Sequence, residues 1–178
     1  MNINLTSTKR VVKNELGFTL IELMTTLSIA AILTVTAAPY VGQMFQSNAL
    51  TSQSNEMVAI FNFARSEAIR RNSIVKICRA DTEVIDTCST VVGQWKYWLV
   101  LDNTAVLKRG IVPGLGAIEQ TSNFYLDSLT FKPDGLVYSN NALANGKKIQ
   151  LKSKDNYRCI VLGAGSRISV TKETTNCI

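Results

Sequence analysis

The chain has no histidine. That absence removes the commonest general base, the commonest metal ligand and the one side chain whose ordinary titration falls near neutral pH. No Cys-x-x-Cys pair occurs among its four cysteines, so the usual spacing of a structural zinc site is missing as well. A glycine-rich phosphate loop and a Gly-x-Ser-x-Gly phrase are also absent. Isolated serines and aspartates without a base make poor nucleophiles. These gaps argue against an enzyme, a bound metal and a cofactor. Charge is scarce in one place above all: from Phe18 to Val41 the only charged side chain is Glu22.

A stretch of that length fits a membrane-crossing helix of about 20 apolar residues. An ionised acid in hydrocarbon costs roughly 2.5–3.5 kcal/mol on lenient insertion scales, so Glu22 asks for a functional explanation. The segment before it, Met1–Gly17, is short and polar, and Lys9, Arg10 and Lys13 make it basic. Positive charge on that flank places the leader in the cytoplasm and the rest of the chain outside. A secretory signal peptide ends its apolar region at a small-residue cleavage site. Here the charged leader stops before the apolar run begins, so a cut after Gly17 leaves the hydrophobic segment on the mature protein. The bland alternative is an ordinary signal-anchor helix. Loss of residues 1–17 leaves 16 basic and 12 acidic residues and lowers the net charge from +6 to +4. That is mildly basic, too little to demand nucleic acid.

The cysteines, Cys78, Cys88, Cys159 and Cys177, all lie beyond the apolar run, on the side expected to be periplasmic and oxidising. Four cysteines allow three pairings. The two short loops, Cys78–Cys88 and Cys159–Cys177, are the favoured pair, each contributing about 3 kcal/mol by restricting the unfolded chain.

Three regions follow the leader. Residues 18–41 are apolar all round, as a lipid-embedded helix should be. Thr25, Thr26, Ser28, Thr34 and Thr36 interrupt the aliphatics and can bond back to the helix or across to a neighbour. Pro39 lacks a backbone donor and is expected to kink or loosen the helix. From 42 to 72 the pattern turns amphipathic: Leu50, Met57, Phe61, Ala64 and Ala68 fall on one helical face, expected to lie on a sheet. Glu67 can reach Arg70 and Arg71. After Asn72 the period becomes two. Strands are expected at 74–78, 95–101, 105–112, 124–131, 149–152, 158–162 and 167–171. Breakers separate them, among them Pro113-Gly114, Pro133-Asp134-Gly135 and Asn145-Gly146, the last a strong two-residue hairpin signal. Trp95 and Tyr97 should share a core face with Leu99 and Leu101, with Trp98 on the opposite face under a loop or at a subunit contact. The expected class is α+β, a long helix followed by an antiparallel β domain over 73–178.

The phrase Gly17-Phe18-Thr19-Leu20-Ile21-Glu22-Leu23, with Pro39 inside the apolar helix, resembles the class III signal of type IV prepilins and type II secretion pseudopilins. The resemblance implies cleavage of Gly17–Phe18 by a prepilin peptidase and N-methylation of Phe18. It also implies pairing of Glu22 with a neighbouring subunit's N-terminal amine, and a helix at Pro39 that melts as the subunit enters the filament. Phe63-Ala64-Arg65-Ser66-Glu67-Ala68 running into the first strand, and Phe131-Lys132-Pro133-Asp134-Gly135, resemble the GspH/FimT family of minor pilins and pseudopilins. The implied fold is pilin-like. The implied place is the inner membrane, single-pass with the β domain in the periplasm, and afterwards a filament of major and minor pilins.

Within that family three duties compete: a minor pilin of a type IV pilus, in its tip or assembly-priming complex, which the paired cysteines and the unbroken Ala64-Arg65-Ser66-Glu67-Ala68 phrase favour; a minor pseudopilin of type II secretion; and DNA capture in transformation. FimT-like DNA binders are associated with a Gly-Arg-x-Arg phrase. The corresponding place reads Ser166-Arg167-Ile168-Ser169, so the glycine and one arginine are absent. Arg167, Lys172 and Arg158 are the candidate DNA contacts, and weak, salt-sensitive binding at most is expected.

Overall fold

The computed structural model describes residues 17–103, 105–113 and 117–178, with the side chains of 38 and 39 left aside. The basic leader residues Lys9, Arg10 and Lys13, and Gly114 of the expected Pro113-Gly114 turn, lie outside the described residues. The chain divides into two compact units, Met1–Gly42 and Gln43–Ile178. One helix, α1 (Leu20–Arg71), contributes to both.

In the second unit α1 presents the expected stripe. Leu50, Met57, Phe61, Ala64 and Ala68 are all fully buried, joined by Ile60 and by the polar Gln53 and Ser54. The helix stops where Asn72 takes a left-handed conformation at φ 48°. The N–H of Ser73 then bonds the Ala68 carbonyl, and that of Asn72 bonds Ile69. These two bonds satisfy carbonyls that a helix end otherwise leaves open. In the last turn Arg70 and Arg71 each reach the Glu67 carboxylate at 2.6 Å, and Arg71 also reaches Asp102 at 3.2 Å. Hydrogen bonds from Arg70 and Arg71 hold the Glu67 carboxyl at about 2, well below the ordinary range.

Ten strands follow: β1 (Val75–Ala80), β2 (Tyr97–Leu101), β3 (Val106–Ile111), β4 (Glu119–Ser122), β5 (Ser128–Phe131), β6 (Val137–Ser139), β7 (Ala142–Leu143), β8 (Lys148–Ser153), β9 (Asn156–Leu162) and β10 (Ile168–Glu173). They form two antiparallel sheets rather than one. The first has six strands in the order β3-β2-β1-β5-β6-β7, the second four in the order β10-β9-β8-β4. One core holds the α1 stripe together with Val75, Ile77, Val100, Leu129, Phe131 and Val137 from the first sheet and Ile149, Leu151, Ile160 and Leu162 from the second. Burying a side chain of this kind contributes about 1.5–3 kcal/mol, so this stripe is what joins helix to sheets.

Several local expectations give way to long-range pairing. The strand expected over 124–131 is broken by a turn at Tyr125–Asp127, where Leu126 and Asp127 take φ of 46° and 45°. Asp127 holds that turn from within. Its buried carboxylate accepts the Gly93 N–H at 2.7 Å and the Ser122 hydroxyl, and Arg79 stands 3.6 Å away. The Asn145-Gly146 pair does not close a hairpin. Gly146 takes the left-handed φ of 75°, but the strands on either side belong to different sheets. Its N–H bonds the Leu162 carbonyl, and the Leu162 N–H bonds that of Lys147, prolonging the β8–β9 ladder. The two-residue turn with both central φ positive is Asn140-Asn141, between β6 and β7, the geometry such hairpins prefer.

Trp98 faces the principal core with Trp95, on the side opposite Leu99. The reason is that both faces of the first sheet are covered. Leu99, Cys78 and Ala80 pack with Ile85, Cys88, Tyr97, Leu101 and Val106 in a second cluster. The 81–94 segment that supplies Ile85 and Cys88 is tied down by the Cys78–Cys88 disulfide. Gly110 is required by this packing: a Cβ there would sit 2.3 Å from Trp98 Cζ2. The Cys159–Cys177 disulfide ties the C-terminus to β9, and the Cys177 N–H bonds the buried Gln150 side chain at 2.9 Å.

Candidate functional site

The residues that carry the assembly signal lie at the start of the first unit. Gly17, Phe18 and Thr19 precede α1 in non-helical backbone, and Phe18 is 85% exposed. A Cβ added to Gly17 would meet nothing within 4 Å, and its φ is not in the left-handed range. The described residues therefore leave room for a side chain at position 17.

Helix formation begins at Leu20 because Thr19 can cap it. The Thr19 hydroxyl accepts the Glu22 N–H at 3.3 Å, and its carbonyl accepts the Leu23 N–H at 3.2 Å. Threonine, with a side-chain oxygen one bond from Cβ, is among the residues suited to this position. Glu22 falls in the first turn, where the positive end of the helix dipole favours a carboxylate. Its side chain is exposed, and no salt bridge involves it among the described residues.

Beyond it, the window Leu20–Ala37 is long and apolar enough to cross a membrane, and none of it is buried. Leu20, Ile21, Leu23, Met24, Leu27, Ile29, Ile32, Leu33 and Val35 are all exposed. In water such a surface would be a severe liability, since soluble monomers rarely leave large contiguous apolar patches uncovered. A lipid bilayer or a bundle of like helices removes that cost. Pro39 lies inside the helical span of α1.

The basic residues considered for DNA do not converge. Arg158 is buried. Its guanidinium donates to Ser47 and Thr51 of α1, both at 3.3 Å, and to the Tyr157 carbonyl at 3.2 Å. It fastens β9 to the helix and is not offered to a phosphate, which corrects its place among the DNA contacts. A buried arginine and a surface one look alike in a β pattern, because the signal lies in the partner hydroxyls about 110 residues away. Arg167 and Lys172 are exposed. Lys172 stands opposite Arg158 in the β9–β10 register. Arg167 lies five positions earlier, on the other face of an extended chain and about 16 Å along it. Among the described residues no group of three or more His, Cys, Asp or Glu could hold a metal.

Sequence reasoning missed Thr19 as the cap, although a threonine three residues before a glutamate is a recognisable helix-start pattern. It also missed Arg65, which donates to the Ser166 carbonyl at the β9–β10 connection.

The family profile described as Type II transport protein GspH matches residues 53–166. The chain belongs to the GspH family. A second profile, the prokaryotic N-terminal methylation motif, matches residues 12–38, the stretch that holds Gly17, Phe18 and Glu22. No curated protein matches the chain in sequence. Among solved structures it is similar to the type IV minor pilin FimU of Pseudomonas aeruginosa strain PAO1 in two crystal forms. One matches at a TM-score of 0.56 and 17% identity, covering 74% of this chain and 97% of FimU. The other matches at a TM-score of 0.54 and 17% identity, covering 72% and 100%. At that identity the likeness establishes the fold: a long N-terminal helix on antiparallel sheets, α+β, of the type IV pilin kind.

Proposed function

We propose that this GspH-family chain is a minor pilin or pseudopilin, a subunit that polymerises through its N-terminal helix. One observation carries the reading: a single acid, Glu22, sits in the first turn of an apolar span that is exposed on every side. A prepilin peptidase removes Met1–Gly17 and Phe18 becomes the N-methylated terminus. The apolar span holds the subunit in the inner membrane, with the disulfide-bonded β domain in the periplasm. On assembly, Glu22 pairs with the Phe18 amine of a neighbouring subunit, an attraction of several kcal/mol in a low dielectric, from which desolvation subtracts. Pro39 marks where the helix yields as the subunit leaves the bilayer.

Of the competing duties, membership of a type IV pilus, near its tip or in the complex that primes assembly, is the reading preferred here. The similarity to a pilus minor pilin is what favours it. The GspH duty in type II secretion is the second reading, supported by the family's description. DNA capture is the least favoured, because Arg158 is engaged with α1 and Arg167 and Lys172 stand apart. Immunoblotting of sheared filaments from the native host tests the main reading. The wild-type chain is expected in the filament fraction, and the Glu22→Ala variant is expected to be processed but excluded. Equal incorporation of both would refute the reading.

A further inference from the structure

The two sheets end in four edge strands, and natural proteins usually blunt such edges against pairing with another chain. Three of the four are blunted here. β7 is only two residues long. β3 carries an irregularity where its register with Val100 and Leu101 shifts, together with the charges of Lys108 and Arg109. β4 is met by Trp95, whose N–H bonds the Gln120 carbonyl at 2.8 Å. β10 is different. Its six residues run in unbroken register with β9, without a proline or a bulge.

The ladder fixes which of its groups face outward. The Gly163 N–H bonds the Arg167 carbonyl at 2.7 Å, and bonded and non-bonded pairs alternate along antiparallel strands. Ser169, Thr171 and Glu173 therefore face β9, while Ile168, Val170 and Lys172 turn their N–H and C=O groups away from it. Among the described residues nothing meets those outward groups. Ile168 is half-buried and Val170 exposed on one face of β10, with Lys172 beyond them, and Arg167 and Glu173 stand on the other face. None of the three charged residues has an ion-pair partner among the described residues. Arg167 and Lys172 do not converge on a phosphate, but an extended chain beside β10 meets both, since its own side chains alternate between the same two faces.

We propose that the open edge of β10 is a strand-addition site for an extended segment of another protein, with acids opposite Arg167 and Lys172 and apolar residues opposite Ile168 and Val170. Main-chain bonds supply the attraction in this mode of recognition, and alternate side chains supply the choice. Opposite charges across a strand pair favour it and like charges oppose it. A second β10 laid antiparallel and centred on Val170 sets Lys172 against Ile168, a poorer match than an acid.

The probe is a synthetic peptide with blocked ends, Lys-Glu-Thr-Val-Thr-Val-Glu, which laid antiparallel puts its acids opposite Lys172 and Arg167. It is titrated into the 15N-labelled full chain in detergent micelles. Amide exchange at Ile168, Val170 and Lys172 should slow, while Ser169, Thr171 and Glu173, already bonded to β9, stay unchanged. The charge-reversed peptide Glu-Lys-Thr-Val-Thr-Val-Lys should bind about fivefold more weakly. The double substitution Arg167→Glu and Lys172→Glu should reverse that preference. Val170→Pro removes an outward amide and leaves the β9 ladder whole, a change that edge strands tolerate, and it should abolish binding. If β9 protection is lost in Val170→Pro, the charge reversal alone decides. Failure of the first peptide to slow the three outward amides overturns the proposal, as does equal binding of both peptides or an unchanged preference in the double variant. Undiminished binding to a folded Val170→Pro chain overturns it as well. Slowing that appears without peptide and grows with protein concentration assigns the edge to a second copy, and also overturns it.

Discussion

Residues 20–37 and residues 50–68 lie on the same helix, yet their apolar side chains end in opposite circumstances. Leu50, Met57, Ile60 and Phe61 are fully enclosed by two sheets of their own chain, whereas Leu20, Ile21, Leu27 and Ile32 are exposed. Charge follows the same division. Glu67 is met by two arginines, and Asp127 by a serine, an amide and Arg79. Among the described residues Glu22 has no such company. The first stretch is apolar all round, whereas the second carries one apolar face on an otherwise polar helix. What separates them is whether the chain supplies the surface that covers them, and the stretch left uncovered is the one whose partner lies outside the molecule.

That contrast can be broken at either end. Replacing Gly17 by arginine should abolish leader removal altogether, seen as a persistently heavier band on immunoblots, while urea unfolding of the β domain stays unchanged. A normally cleaved Gly17→Arg chain would show that position 17 answers to no outside partner. Replacing Gly110 by valine forces a side chain into Trp98, whose ring atoms stand 2.3 and 2.7 Å from the new Cβ. Here the expected loss is about 1–3 kcal/mol of unfolding stability, with leader cleavage unaffected. Removing the Cys78–Cys88 bridge by paired serine substitutions should cost about 3 kcal/mol at most. It should also loosen the 81–94 segment, read as faster amide exchange at Gly93.

The smallest effect concerns Glu67. Its folded-state pKa, about 2, lies below the unfolded value of about 4.3. Its contribution to stability is therefore complete above pH 4.3 and is lost as the pH falls toward 2. Glu67→Gln should flatten acid unfolding in that window and leave stability at neutral pH only slightly lower. An unchanged acid limb would show that the arginines contribute nothing through this carboxylate.

The parts of the fold that could be read beforehand are those set by neighbours along the chain. The stripe Leu50, Met57, Phe61, Ala64 and Ala68 is a spacing, and so is the reach of Glu67 to Arg70 and Arg71. The parts that could not are set by residues far away. β4 is Glu-Gln-Thr-Ser, with no apolar alternation, and it is a strand because β8 pairs with it and because Gln53 of α1 bonds the buried Gln120 at 3.3 Å. Asn145-Gly146 has the chemistry of a hairpin and the φ to match, but β8 finds its partner in β9. Trp98 faces the core because the disulfide-tied 81–94 segment covers the other side of β2, and no pattern within β2 records that. The candidate site divides likewise. Gly17, Phe18 and Glu22 stand out from local sequence, while the withdrawal of Arg158 from solvent depends on Ser47 and Thr51.

The most direct test is intact-mass and N-terminal peptide spectrometry of the protein purified from its native host. The account predicts a chain beginning at Phe18, carrying one methyl group on its amine, with residues 1–17 gone. Finding Met1–Gly17 still attached to the functional protein would contradict it, since Glu22 would then have no neighbouring amine to meet.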